Sequence, residues 1–129
     1  MLQPASKNNP LADYETRSAA YGFASQNEVI AASKQSNVVF LDVRTPQEVK
    51  VARLHPPGAF VAVSVNPDEA PELVAQSSTL LPNKMAPVIV YCASGQRAAQ
   101  AKKVLKKQGY KTVLNAGALS DLGYLNMKV

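Results

Sequence analysis

Val88-Ile89-Val90-Tyr91-Cys92-Ala93-Ser94-Gly95-Gln96-Arg97 is the stretch of this 129-residue chain that decides its fold. The run Val88–Tyr91 is continuously apolar and rich in branched side chains, as a strand buried on both faces is. It delivers Cys92 directly to its end. Gly95 then admits backbone angles closed to other residues, so the chain can curl into a helix. From about Arg97 to Gln108 the pattern is helical: Ala98, Ala101, Val104 and Leu105 share one face, and four lysines (Lys102, Lys103, Lys106, Lys107) lie towards the other. Gly109 is placed to end it. A loop of this kind turns several N–H groups inward, and with the helix dipole they form an anion cradle. The same field favours thiolate over thiol. Cys92 is therefore a candidate nucleophile, with the backbone of Ala93, Ser94, Gly95, Gln96 and Arg97 around it. The competing reading is a buried structural cysteine; the order strand, glycine loop, arginine, helix argues against it.

Working outward, Val38–Val43 is a second doubly buried strand, Ala59–Val65 a third and Thr112–Leu114 a fourth, with Tyr21–Ala24 a weak fifth candidate. Ser25 and Glu28 fit a capping box, predicting a helix to about Lys34. Thr45, Pro46 and Glu48 start another, ending near Arg53 before the breaker His55-Pro56-Pro57-Gly58. Residues 68–76 form a short helix, and a last helical turn or two begins at Gly117. Alternating strands and helices with short links predict an α/β domain with a mostly parallel sheet of four or five strands and helices on both faces. Val38–Val43 and Val88–Tyr91 belong at its centre. Residues 1–18 are polar and form a tail or an extra first helix; residues 19–129 form the domain.

Composition narrows the chemistry. The chain has 47% apolar and 18% charged residues, a globular balance. Charge or proline interrupts every apolar run well short of the ~18 residues of a membrane span. One cysteine and one histidine leave no intramolecular disulfide and no cysteine- or histidine-rich metal centre, so no metal and no cofactor are expected. The net charge of +5 is concentrated after Cys92, where seven Lys/Arg face one acid, Asp121. That field attracts small anions; nucleic acid is disfavoured, because lysine pairs on a helix usually form a solvated face. The N-terminus has no secretory pattern, and the cytoplasm is the default location unless a targeting segment has been removed.

Cys92-Ala93-Ser94-Gly95-Gln96-Arg97 resembles the active-site loop of the rhodanese (sulfurtransferase) family, C-x-x-G-x-[R/T]. Leu41-Asp42-Val43-Arg44 with Glu48 is similar to that family's L-D-V-R…E segment. His55-Pro56-Pro57-Gly58-Ala59 resembles its H-I-P-G-A, and Gly109-Tyr110, Val113 and Asn115-Ala116-Gly117 its closing segment. Pro56 and Ala118 depart from the pattern, and the link from Glu48 to His55 is longer. The resemblance implies a single-domain thiosulfate sulfurtransferase. Cys92 takes sulfane sulfur from a small anionic donor, holds it as a persulfide on the loop amides, and passes it to cyanide, a thiol or a sulfur-accepting protein. Arg97 draws in the donor, and Ser94 and Gln96 add side-chain donors. Asp42 and Arg44 pin the floor of the site, and Arg44 and Glu48, four residues apart, are placed to pair. His55 sits in a proline-rich turn and is not required as a base.

Two alternatives are weighed against this. Cysteine phosphatases and arsenate reductases use C-x5-R; here the corresponding position is Ala98, and Arg97 arrives one residue early. The other is a sulfur-carrier or docking module of the same family with little turnover; docking modules typically lose the cysteine, so Cys92 argues against one, while a carrier that hands sulfur to a partner keeps it.

Overall fold

In the computed structural model, which describes residues 10–129, two apolar layers enclose one parallel sheet. The chain enters through helix α1 (Pro10–Tyr21), which runs through residue 18 and stops at Gly22, a positive-φ residue. Residues 1–9 of the expected N-terminal segment lie outside the described residues. Helix α2 (Gln26–Ser33) starts at Ser25, where the expected capping box forms in both directions. Then follow β1 (Val39–Asp42), α3 (Pro46–Val51), β2 (Ala59–Ala62), α4 (Pro71–Leu80), β3 (Val88–Cys92), α5 (Gln96–Lys107), β4 (Val113–Ala118) and a 3-10 segment (Leu119–Leu125).

The four strands lie in the order β2-β1-β3-β4, each pair parallel, which puts β1 and β3, the runs expected at the centre, in the middle. Side chains alternate across them. Leu41, Val88, Val90 and Cys92 pack with Leu73 of α4 and Ala98, Ala101 and Leu105 of α5. Phe40, Ile89 and Tyr91 face the other way, onto Val29 and Ala32 of α2 and Leu122. A strand covered on both faces has no polar side to show, which is why these runs are continuous rather than alternating.

Several boundaries differ from expectation. Tyr21–Ala24 is not a strand: Tyr21 ends α1, and one backbone bond, from the Ala24 N–H to the Asn115 carbonyl (2.9 Å), ties this link to β4. Beyond Ala62 the β2 chain leaves the regular ladder, yet the Val63 N–H still donates to the Asp42 carbonyl and the Val65 N–H to that of Val43. The expected helix at 68–76 starts later, with Pro71 in its first turn, and runs to Leu80. The last strand extends to Ala118. Between the pairs Val90–Asn115 and Cys92–Ala118, β4 carries one residue more than β3, so it bulges beside the cysteine. Gly117, at φ 91°, supplies the backbone angle for that bulge.

Candidate active site

Cys92 is the last residue of β3, at the carboxyl end of the sheet, where ligands bind in open parallel α/β folds. Its thiol is free and buried. The loop after it closes tightly, and the Gly95 N–H donates to Cys92 Sγ at 3.0 Å. Gly95 adopts φ 103° as the residue capping α5, a conformation that suits glycine. The inward turn of amides is thus realised at one N–H on the sulfur. The Gln96 N–H is occupied by Ser94 Oγ (3.4 Å), so the Ser94 hydroxyl serves as an acceptor within the loop. Ala93 and Gln96 are exposed, and Ser94 and Arg97 are half-buried.

The loop carbonyls point outward into fixed partners. Asn115 Nδ2 donates to the Gly95 carbonyl (2.9 Å) and to that of Tyr21 (3.1 Å), while its Oδ1 accepts from the Gly117 N–H (3.0 Å). Arg17 Nη1 donates to the Ser94 carbonyl at 2.9 Å. Asn115 and Arg17 escaped sequence reasoning as supports of the loop. A polar residue inside an apolar strand was the available signal for Asn115; nothing local marked Arg17.

Two arginines stand by the cysteine, and their pairing differs from expectation. Glu48 does not bind Arg44. It forms a two-point ion pair with Arg97, Nη1–Oε1 2.7 Å and Nη2–Oε2 3.1 Å, while also capping α3 through the Thr45 N–H. Its carboxyl is held down to about 2, first by the Arg97 hydrogen bond, and the Arg97 guanidinium is raised by the same bond and by the Cys92 sulfur. Arg44 turns to Asp42 instead (Nη2–Oδ2 2.7 Å), its guanidinium 5.6 Å from the centre of the Tyr91 ring. Arg44 Nη2 also reaches the Ala52 carbonyl at the end of α3, so the pair fastens that helix to the site floor. The Tyr91 phenol is pushed up by burial and accepts the Leu54 N–H at 3.0 Å. His55 lies apart: it is exposed, its N–H donates to the Lys128 carbonyl, and its ring meets Arg53.

A cavity of ≈ 490 Å³ opens over the cysteine, bounded by Arg44, Cys92, Ala93, Leu119, Leu122 and Met127. Its lining is mostly apolar, with the Asp42-paired Arg44 as its charged side chain. Among the described residues, no group of three or more His, Cys, Asp or Glu side chains is arranged to hold a metal ion. No helix there is long and apolar enough to cross a membrane.

Comparison with known proteins places this arrangement. Residues 25–120 match the Rhodanese-like domain family. Thiosulfate sulfurtransferase PspE of Escherichia coli (strain K12) is 35% identical over 89 residues, covering 69% of this chain and 78% of that protein. Thiosulfate:glutathione sulfurtransferase of Saccharomyces cerevisiae is 31% identical over 107 residues, covering 79% and 76%. A solved rhodanese with anions from E. coli superposes with a TM-score of 0.53 at 31% identity, over 65% of this chain and 89% of that one. The strand, cysteine loop and helix all lie inside the matched segment, and the chain belongs to the rhodanese-like domain family.

Proposed function

We propose that the protein is a rhodanese-type sulfurtransferase that carries sulfur on Cys92. The family match and two relatives named as thiosulfate sulfurtransferases support the activity. The single observation that carries the site assignment is the 3.0 Å bond from the Gly95 N–H to Cys92 Sγ at the mouth of a helix, beside Arg97. The Cys92 thiolate attacks the outer sulfur of thiosulfate. The S–S bond of the donor breaks, sulfite leaves with the bonding pair, and a Cys92 persulfide anion remains. Cyanide, or the thiolate of a small thiol or protein acceptor, then attacks that outer sulfur and restores the Cys92 thiolate. Attack by a thiolate releases no proton, so neither step as written calls for a general base; the exposed position of His55 is consistent with that.

The loop amides from Ala93 to Arg97, apart from the Gln96 N–H that Ser94 Oγ takes, hold the persulfide charge, with the Gly95 N–H as first donor. Arg97 attracts the sulfonate end of the donor. Arg44, on the cavity wall but paired with Asp42, adds a hydrogen-bond donor for that end rather than a free charge. The decisive comparison is turnover of thiosulfate against an aryl phosphate, in the parent and in Cys92→Ser. Thiosulfate turnover with cyanide, lost by more than a thousandfold in Cys92→Ser with no phosphate release in either, is the expected outcome. Aryl phosphate hydrolysis as the faster reaction would remove the proposal.

A further inference from the structure

The Ser94–Gly95 peptide has a partner at each end. Its N–H, on Gly95, donates to Cys92 Sγ at 3.0 Å. Its carbonyl, on Ser94, accepts from Arg17 Nη1 at 2.9 Å. One planar unit therefore links a guanidinium on α1, 77 residues before Ser94 in sequence, to the sulfur on β3. Residues 25–120 match the family, so Arg17 lies outside the matched segment.

Arg17 is held firmly for this contact. Nη1 and Nη2 grip both oxygens of Asp121 (2.8 and 2.9 Å), and Nε binds Asp13 (2.9 Å). Asp121 Oδ2 in turn accepts the Ala118 N–H at the end of β4. The guanidinium lies 5.6 Å from the centre of the Phe23 ring and 6.0 Å from that of Tyr14. Two carboxylates balance its charge, so its long-range field at Cys92 is small. What it does locally is fix the peptide plane and draw electron density towards the carbonyl. Hydrogen bonds in series strengthen one another, and a donor aimed at sulfur favours the anion.

We propose that Arg17 is a positioning residue for the sulfur site: through the Ser94–Gly95 peptide it keeps the Gly95 N–H aimed at Cys92 and stabilises the thiolate and persulfide anions there. This rests on Cys92 being the sulfur carrier. The other charged groups near the sulfur are Arg97 of α5, paired with Glu48, and Arg44 on the cavity wall, paired with Asp42. Neither pair includes Arg17.

The test is the rate of Cys92 alkylation by iodoacetamide as a function of pH, read by intact mass, in the parent, Arg17→Lys and Arg17→Met. Circular dichroism and Tm report the fold of each. A lysine keeps the charge that pairs with Asp121 but lacks the planar fork that reaches Ser94 as well. Arg17→Lys should therefore hold a Tm near the parent's while its alkylation midpoint moves to higher pH. Its rate at neutral pH should fall about three- to tenfold, recovering above the midpoint. Arg17→Met should show at least the same shift; if it fails to fold, Arg17→Lys carries the test alone. An Arg17→Lys midpoint equal to the parent's overturns the proposal and leaves Arg17 as a helix anchor. Alkylation needs no sulfur donor, so that failure is separate from a failure of sulfur transfer.

Discussion

The ring of Phe23 occupies the space that a side chain on Gly95 would need: a methyl placed there overlaps Cε1 and lies 2.6 Å from Cζ. Phe23 also packs against Gly117, so one ring backs both the cysteine loop and the β4 bulge. Gly95→Ala combines this overlap with a positive φ, and should destabilise the fold by about 2–4 kcal/mol in urea unfolding. Adding Phe23→Leu should recover part of the loss, because the two sites share one space. A loss below about 0.5 kcal/mol for Gly95→Ala would mean that the loop relaxes freely.

Asp42 and Arg44 form a buried pair, 0% and 7% exposed. Removing one partner strands the other charge, so Arg44→Met should cost about 3–5 kcal/mol. The double variant Asp42→Asn with Arg44→Met should be more stable than Arg44→Met alone, as measured by urea midpoints. Equal losses in the two variants would show that packing against Tyr91, rather than charge, dominates.

Much of the architecture was legible because the physics is local. Branched apolar runs announced β1 and β3, and Ser25 and Thr45 announced their helices through side chains that cap them. The cysteine loop was legible for the same reason: strand, glycine and helix lie in one contiguous segment. What was hidden depends on contacts distant in sequence. Glu48 chose Arg97, 49 residues away, over Arg44, because Asp42 is only two residues from Arg44 and already pairs with it. Phe23 read as a strand residue because nothing in its neighbours reveals the two glycines it fills against. Arg17 sits in a helix whose pattern says nothing of Ser94.

The Arg97–Glu48 pair gives a pH prediction. The folded carboxyl lies near 2, below the roughly 4.3 of an unfolded glutamate. Its contribution is thus fully present above about pH 4.3 and is lost as pH falls towards 2. Glu48 is about a third exposed, so solvent discounts the pair, and pair and cap together contribute about 1 kcal/mol. Glu48→Gln should therefore be less stable than the parent at neutral pH and converge with it in acid. A gap that persists unchanged at the lowest pH would contradict this.

Arg97→Ala should raise the KM for thiosulfate about tenfold, roughly 1.4 kcal/mol, a fair size for one partly exposed charge-assisted contact. The loop amides remain, so kcat should change less. Added salt should raise the parent's KM more than the variant's. An unchanged KM with unchanged salt response would assign the donor's charge to the amides and Arg44 instead.

Sulfur carried on Cys92 is the central claim, and the intact mass of the protein after thiosulfate treatment tests it most directly. The parent should gain the mass of one sulfur atom, lose it on addition of cyanide as thiocyanate appears, and show neither change as Cys92→Ser. A parent mass unmoved by thiosulfate, or a gain that persists in Cys92→Ser, would contradict the account.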